Sequence, residues 1–243
     1  MAIYEFAGMR IKVNNRYDSF RKLAAEYLVS GDDFDFEVTV DDDDIQRERE
    51  ISKTQHPFDF PNGYLEEICI YRKIVEEAAN FNTFMLHGAV FTVGEHCLCL
   101  SALSGTGKTT HMRMWQELLG DKLTVINGDK PLIRLEDGKP VAYGTPYNGK
   151  ENYGTKAKAV LTDLCFIERA KDNSVEKLRK DEVIDRIMNQ AYMPQNAVAA
   201  LNVLDMVDKL LAFCNLWLIK CNPTVNAAEV AYKTIIEQKT VEE

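Results

Sequence analysis

The sequence predicts an α/β fold, and three observations carry the prediction. An apolar run, Cys97-Leu98-Cys99-Leu100, passes through a glycine-bearing turn into a helical pattern over residues 109–119, which makes a strand–loop–helix unit. From residue 83 onward, short β-branched runs alternate with helical periodicity. The last third is mostly helical in pattern, with one further strand-like run at 216–220.

Taken in order, residues 3–13 read as two short strands around Gly8, and 18–28 as a helix broken at Gly31-Asp32-Asp33. Residues 34–40 alternate Phe, Asp, Phe, Glu, Val, Thr, Val, the pattern of a half-buried strand. Asp41-Asp42-Asp43-Asp44, running into Arg47, Glu48, Arg49 and Glu50, reads as a solvated loop or exposed edge; the glycine and terminal glutamate of an EF-hand are absent. Pro57, Pro61 and Gly63 mark a turn, and 64–79 a helix with Ile68, Ile70, Ile74 and Val75 as apolar positions. A strand at 85–93 turns at Gly94-Glu95 into the Cys97 strand, and Gly120 stops the helix that follows. Strands follow at 123–126, 141–144 and 159–167, with a hairpin turn at Glu136-Asp137-Gly138-Lys139. The connection 145–155 is polar, aromatic and glycine-bearing, the kind of loop that is functional or mobile. Helices are expected at 181–192, 197–213 and 227–237. No repeat or linker divides the chain, so 1–243 is expected as one domain: an N-terminal extension or subdomain at 1–80, then the core with its C-terminal helices at 81–243.

The composition, 46% hydrophobic and 28% charged over 243 residues, is that of a chain able to bury a real core. A net charge of -9 argues against nucleic acid or anionic membrane as partner, since both reward clustered Lys and Arg. No apolar run approaches a membrane span, and Met1-Ala2-Ile3-Tyr4-Glu5-Phe6 lacks the blocks of a signal peptide. Cys69, Cys97, Cys99, Cys165, Cys214 and Cys221 show no zinc-like spacing and lie in mostly apolar stretches, so buried thiols and a cytoplasmic location are expected.

The chemistry concentrates in Ala102-Leu103-Ser104-Gly105-Thr106-Gly107-Lys108-Thr109-Thr110. A glycine-rich turn between strand and helix aims backbone N–H groups and a helix N-terminus at phosphates; the lysine reaches the β- and γ-phosphates and the threonine hydroxyl reaches Mg²⁺. The common pattern begins with glycine where this chain has Ala102. Phosphoryl transfer also needs a held metal and a group to orient or deprotonate the acceptor. Asp129 in Ile126-Asn127-Gly128-Asp129, at the end of the next strand, is placed to hold the metal, although Asp after Gly also caps turns. His87 opens a hairpin whose second strand runs into the loop, and reads either as a catalytic group or as a strand-end histidine satisfied by backbone. His96 falls in a turn and His111 on the outer part of the loop helix, both with weaker signals.

The segments His87-Gly88-Ala89-Val90, 98–102, Ser104-Gly105-Thr106-Gly107-Lys108-Thr109-Thr110 and Asn127-Gly128-Asp129 together resemble the core shared by HPr kinase/phosphorylase and ATP-dependent phosphoenolpyruvate carboxykinase. The likeness covers about residues 83–170. It implies a carboxykinase/HPr kinase C-terminal-like P-loop core with a mixed sheet, flanked by an N-terminal strand-rich extension and C-terminal helices. It also implies ATP with Mg²⁺ or Mn²⁺, and phosphoryl transfer. On that resemblance Ser104 to Thr110 bind nucleotide, Lys108 and Thr109 serve phosphates and metal, Asp129 matches the first carboxylate of a paired Asp-Asp, and His87 matches the active-site histidine. The second Asp of the pair is Lys130 here. Glu151 is the nearest candidate to complete the metal shell, and Lys150 or Lys156 to meet substrate phosphate.

The leading expectation is an ATP-dependent kinase acting on a hydroxyl of a protein, a peptide or a small molecule. A catalytically weak nucleotide-binding regulator is the alternative that Ala102 and Lys130 motivate, and a carboxykinase is the third reading. A homo-oligomer is left open.

Overall fold

In the computed structural model, which describes residues 1–237, contacts gather into two units: Met1–Thr83 with Met193–Asn202, and Phe84–Tyr192 with the chain from Val203 onward. Residues 238–243 of the expected domain lie outside the described residues. Among the described residues no helix is long and apolar enough to cross a membrane.

The first unit opens with β1 (Ala2–Phe6) and β2 (Met9–Asn14), an antiparallel hairpin, followed by α1 (Asp18–Leu23), β3 (Leu28–Val29) and β4 (Phe36–Thr39). The sheet order is β3-β1-β2-β4, with β4 parallel to β2. The helix expected over 18–28 stops at Leu23. A 3-10 turn then drops the Tyr27 ring onto Phe6, 5.0 Å between centroids, and lets Leu28 and Val29 pair with β1. Tertiary packing overrides helical continuation here.

The acidic run is the clearest correction. It is not a solvated loop but the start of α2 (Asp42–Gln55). The Asp41 carboxylate accepts the Asp44 N–H at 2.8 Å, and the Asp44 carboxylate accepts the Asp41 N–H at 3.1 Å, a reciprocal capping box. Asp42, Asp43 and Asp44 fill the first turn, where the helix dipole favours negative charge. On the inner side of α2, Glu48 is buried against Arg72 of α3 (Asn62–Ala78) at 2.7 Å. Gly63 falls inside the first turn of α3 rather than in a separate turn. Buried Glu66 of the same helix accepts the N–H groups of Arg16 and Tyr17 at 2.6 and 3.0 Å, at the start of α1.

The second unit contains β5 (Thr83–Met85, beginning at the boundary), β6 (Ala89–Val93), β7 (His96–Ser101), α4 (Lys108–Leu119) and β8 (Leu123–Asn127). It continues with β9 (Leu132–Glu136), β10 (Lys139–Tyr143), β11 (Lys158–Val160), β12 (Asp163–Arg169), β13 (Ser174–Lys177) and α5 (Ile184–Met188). Then come α6 (Ala197–Phe213), whose first turns gather with the first unit, β14 (Asn215–Cys221) and α7 (Val225–Tyr232), which runs on as a π-helical turn over Lys233–Glu237. Four strands form a sheet in the order β11-β10-β9-β5. Six form another, β13-β14-β12-β7-β6-β8, in which β7, β12 and β14 are parallel and β6 and β13 run against their neighbours. The fold is thus mixed α/β. Helices α4 and α7 pack against each other, and Trp115, fully buried, lies 5.2 Å from the Phe91 ring and 6.1 Å from Tyr232.

Several sequence readings change in this unit. The strand expected over 85–93 is two strands in two sheets, with Leu86-His87-Gly88 crossing between them. The backbone leaves the ladder because His87 N–H donates to Gln190 O and Gly88 N–H to Asp129 O, each at 2.9 Å. Only glycine fits at 88: a Cβ there would lie 2.5 Å from Cys99 Sγ and 3.1 Å from Leu100 O. The strand expected over 159–167 likewise divides at Leu161-Thr162. The helix expected over 181–192 shrinks to a 3-10 turn and α5, because Ala191 bridges to Leu86 and Tyr192 N–H reaches Met85 O at 3.0 Å. Strand β13 had no clear alternation to announce it. His96 opens β7 and meets Asp163 Oδ2 at 3.0 Å, and His111 faces inward, not outward. All six cysteines are buried.

Candidate active site

The carboxyl ends of β7, β12 and β14 open on one side of the six-stranded sheet, the side where open α/β sheets place their ligands. Residues 102–107 leave β7 there and lead into α4. Gly107 takes φ 127° at the helix N-cap, a conformation that side-chain-bearing residues rarely adopt. Lys108, the first residue of α4, is buried and its Nζ donates to Ala102 O at 2.8 Å, closing the loop on itself. Ala102 therefore keeps its carbonyl in the loop's hydrogen bonding even though it replaces the usual glycine. Burial pulls the Lys108 ammonium below its ordinary value, and the charge of Asp129 works against that pull. Ser104, Gly105 and Thr110 are exposed, and Thr106 and Thr109 half-buried.

Arg169, at the end of β12, holds the loop from its carbonyl side. Its Nη2 donates to Gly105 O at 2.5 Å and its Nε to Thr106 O at 3.1 Å. Because C=O and N–H point oppositely across a trans peptide, the Gly107 N–H is turned away from Arg169.

Asp129 is presented by a turn that Asn127 builds. Asn127 is fully buried; its Nδ2 donates to Thr145 O and Oγ1, both at 3.1 Å. Its Oδ1 accepts the N–H groups of Asp129 and Lys130 at 2.9 and 2.8 Å. The loop 145–155 is tied to the same turn by Lys130 N–H to Tyr147 O and Thr155 N–H to Ile126 O, each 3.1 Å. The Asp129 carboxylate then meets His87 Nε2 through Oδ1 at 3.1 Å and Lys130 Nζ through Oδ2. Burial opposes the charge on Asp129, but the His87 hydrogen bond and the Lys130 ammonium outweigh it and hold the carboxyl down at about 2.

His87, Lys108 and Asp129 therefore share one neighbourhood, with Lys130 added to it. Glu151 does not turn toward Asp129; it pairs with Arg113 of α4 at 2.6 Å. Lys150 and Lys156 are exposed on the 145–155 loop and just beyond it. Among the described residues no three His, Cys, Asp or Glu side chains are grouped to hold a metal ion. The residues present do not fit a resident carboxylate metal centre, since both Asp129 oxygens already face nitrogen groups. Thr109, half-buried in the first turn of α4, follows Lys108 directly.

Beside the loop lies a cleft of about 680 Å³, bounded by 101–106, by 166–169 at the end of β12, and by Asp185, Arg186, Asn189 and Gln190. Arg186 and Glu168 pair across it at 2.6 Å. Gln190 is 5% exposed, and its Oε1 has no hydrogen-bond partner among the described residues. Arg169 and Gln190 were not readable in advance, because their loop and His87 contacts join segments far apart in sequence. Asn127 had a local signal, as an Asn ahead of Gly-Asp at a strand end is a turn former.

No protein-family model matches the chain, and no curated protein sequence matches it. Among solved structures the fold bears a distant likeness to the Hpr(Ser) kinase/phosphatase from Coxiella burnetii, with a TM-score of 0.38 and 4% identity, covering 65% of this chain and 99% of that one.

Proposed function

We propose that the chain is an ATP-dependent phosphotransferase that moves the γ-phosphoryl group of Mg-ATP to a hydroxyl of a protein, a peptide or a small molecule. The observation that supports this reading best is the meeting of two sets of groups: a glycine-rich loop closed by buried Lys108, and a His87–Asp129 pair close enough for Asp129 to act on the Lys108 charge. Loop N–H groups and the α4 N-terminus bind the phosphates. Lys108 exchanges Ala102 O for the β- and γ-phosphate oxygens, and Thr109 meets the magnesium that belongs to the nucleotide substrate.

The proton has a defined path. With Asp129 ionised, its oxygens only accept, so His87 Nε2 carries the hydrogen of the 3.1 Å contact, and in the neutral imidazole the lone pair is on Nδ1. The acceptor oxygen attacks the γ-phosphorus as the bond to the ADP oxygen breaks, and the acceptor proton passes to His87 Nδ1. Asp129 fixes the tautomer and offsets the imidazolium, the logic of a histidine oriented by a carboxylate. The cleft beside the loop ends at Gln190, whose backbone carbonyl accepts the His87 N–H.

The test is phosphate transfer from labelled ATP to a panel of hydroxyl acceptors, together with ATP consumption. Lys108→Ala is expected to abolish turnover, because positioning and charge stabilisation carry most of the rate in this chemistry. Unchanged ATP consumption in that variant would remove the mechanism. ATP binding without transfer to any acceptor, or hydrolysis, favours the alternative of a nucleotide-binding regulator, which the Lys130–Asp129 pairing also fits.

A further inference from the structure

We propose that Lys130 is a built-in cation: its ammonium, seated on the second oxygen of Asp129, occupies the place of a divalent metal at this carboxylate, so the site uses only the ion that arrives with the nucleotide. The inference rests on the phosphotransferase reading and narrows it to a one-metal site.

Three observations converge. Both carboxylate oxygens of Asp129 are engaged, one by His87 Nε2 and the other by Lys130 Nζ. The backbone of Lys130 is held at both ends of the residue: its N–H lies on Asn127 Oδ1 at 2.8 Å and Tyr147 O at 3.1 Å, and its C=O accepts Thr145 Oγ1 at 2.9 Å. Its side chain, 43% exposed, reaches back to the neighbouring carboxylate. The other carboxylate of the neighbourhood, Glu151, is turned to Arg113 and leaves Asp129 without an acidic partner to share an ion.

Charge adds to them. Lys108 and Lys130 already exceed Asp129 by one positive charge before any metal enters, which suits a site that must accept a triphosphate. No bond forms or breaks at Lys130. Its ammonium lends charge to the oxygens around the transferred group, while keeping Asp129 aimed at His87.

The experiment is Mn²⁺ binding followed by electron paramagnetic resonance, with and without a non-hydrolysable ATP analogue, so that no acceptor is needed. The wild-type chain is expected to bind one Mn²⁺ with the analogue and none without it. Lys130→Asp is expected to gain a second Mn²⁺ with the analogue, and Lys130→Met a weaker second ion, since removing the ammonium frees Asp129. The methionine variant also serves if the aspartate variant does not fold. A wild-type chain that binds two Mn²⁺ with the analogue overturns the inference and leaves the nucleotide site standing. Folded Lys130 variants that both stay at one ion overturn it too. Absence of any analogue-dependent Mn²⁺ overturns the nucleotide site itself, and the inference falls with it.

Discussion

At the residue scale, the His87–Asp129 contact makes the sharpest demand. If Asp129 orients His87 rather than taking the proton itself, Asp129→Asn leaves an amide that can present its NH₂ to Nε2 and favour the wrong tautomer. Turnover is expected to fall by roughly 10²–10⁴ while ATP-analogue affinity changes little. Steady-state kinetics with an analogue titration reads both, and an unimpaired kcat would sink the assignment. A carboxyl held at about 2 also leaves no Asp129 ionisation in the ordinary assay range, so an acid limb there would not report this residue. His87, Lys108 and Asp129 could be singled out as candidates from the sequence because each lies in a short string whose chemistry is local: a loop, a turn, a strand end. Arg169 and Gln190 could not. Their significance arises from contacts 63 residues apart or more, such as Arg169 Nε to Thr106 O, and no local pattern encodes such a meeting.

Element-scale features were legible where their causes lie close by along the chain. The hairpin through Gly94-Glu95, the helix ending at Gly120 and the β14 strand follow from neighbours only a few residues away. The break at His87 and the shortened helix before Gln190 depend on each other, because each supplies the hydrogen bonds that the other's backbone lacks. Helix α2 is a different case. Its cause was local, yet composition concealed it: four aspartates suggest solvent, whereas the spacing of Asp41 and Asp44 specifies a helix start. Asp41→Ala removes the acceptor for the Asp44 N–H and is expected to destabilise the chain by about 1 kcal/mol. Asp43→Ala, at a first-turn position outside the reciprocal pair, is expected to cost less. Chemical denaturation of the two variants checks the ranking, and equal losses would show that general acidity, not the cap, matters here.

At the scale of the whole molecule, sheet order was beyond the reach of sequence reading, because pairings such as β12 with β7 and β14 join strands separated by long connections. The same long-range assembly creates a stability device in the second unit. Helix α4 carries the glycine-rich loop at its N-terminus and His111 at the end of its first turn, buried to 1% exposure where the helix meets the core. Trp115 Nε1 donates to His111 Nδ1 at 3.1 Å, so Nε2 carries the hydrogen, and no partner receives it among the described residues. Burial pushes this imidazole down to about 4. In the unfolded chain an imidazole titrates near 6.5. The folded state thus favours the neutral form, and the unfolded state binds more protons between the two values. The contribution is fully present above about pH 6.5 and is lost as pH falls through about 4. A shift of that size corresponds to about 3 kcal/mol of stability when the whole window is crossed. His111→Gln retains an oxygen acceptor for the Trp115 N–H and removes the titration. Unfolding free energy measured by denaturant between pH 7 and 4 is therefore expected to drop more steeply in the wild type than in the variant. If the two curves run parallel across that window, His111 is not the group that ties the core beneath the loop to acid.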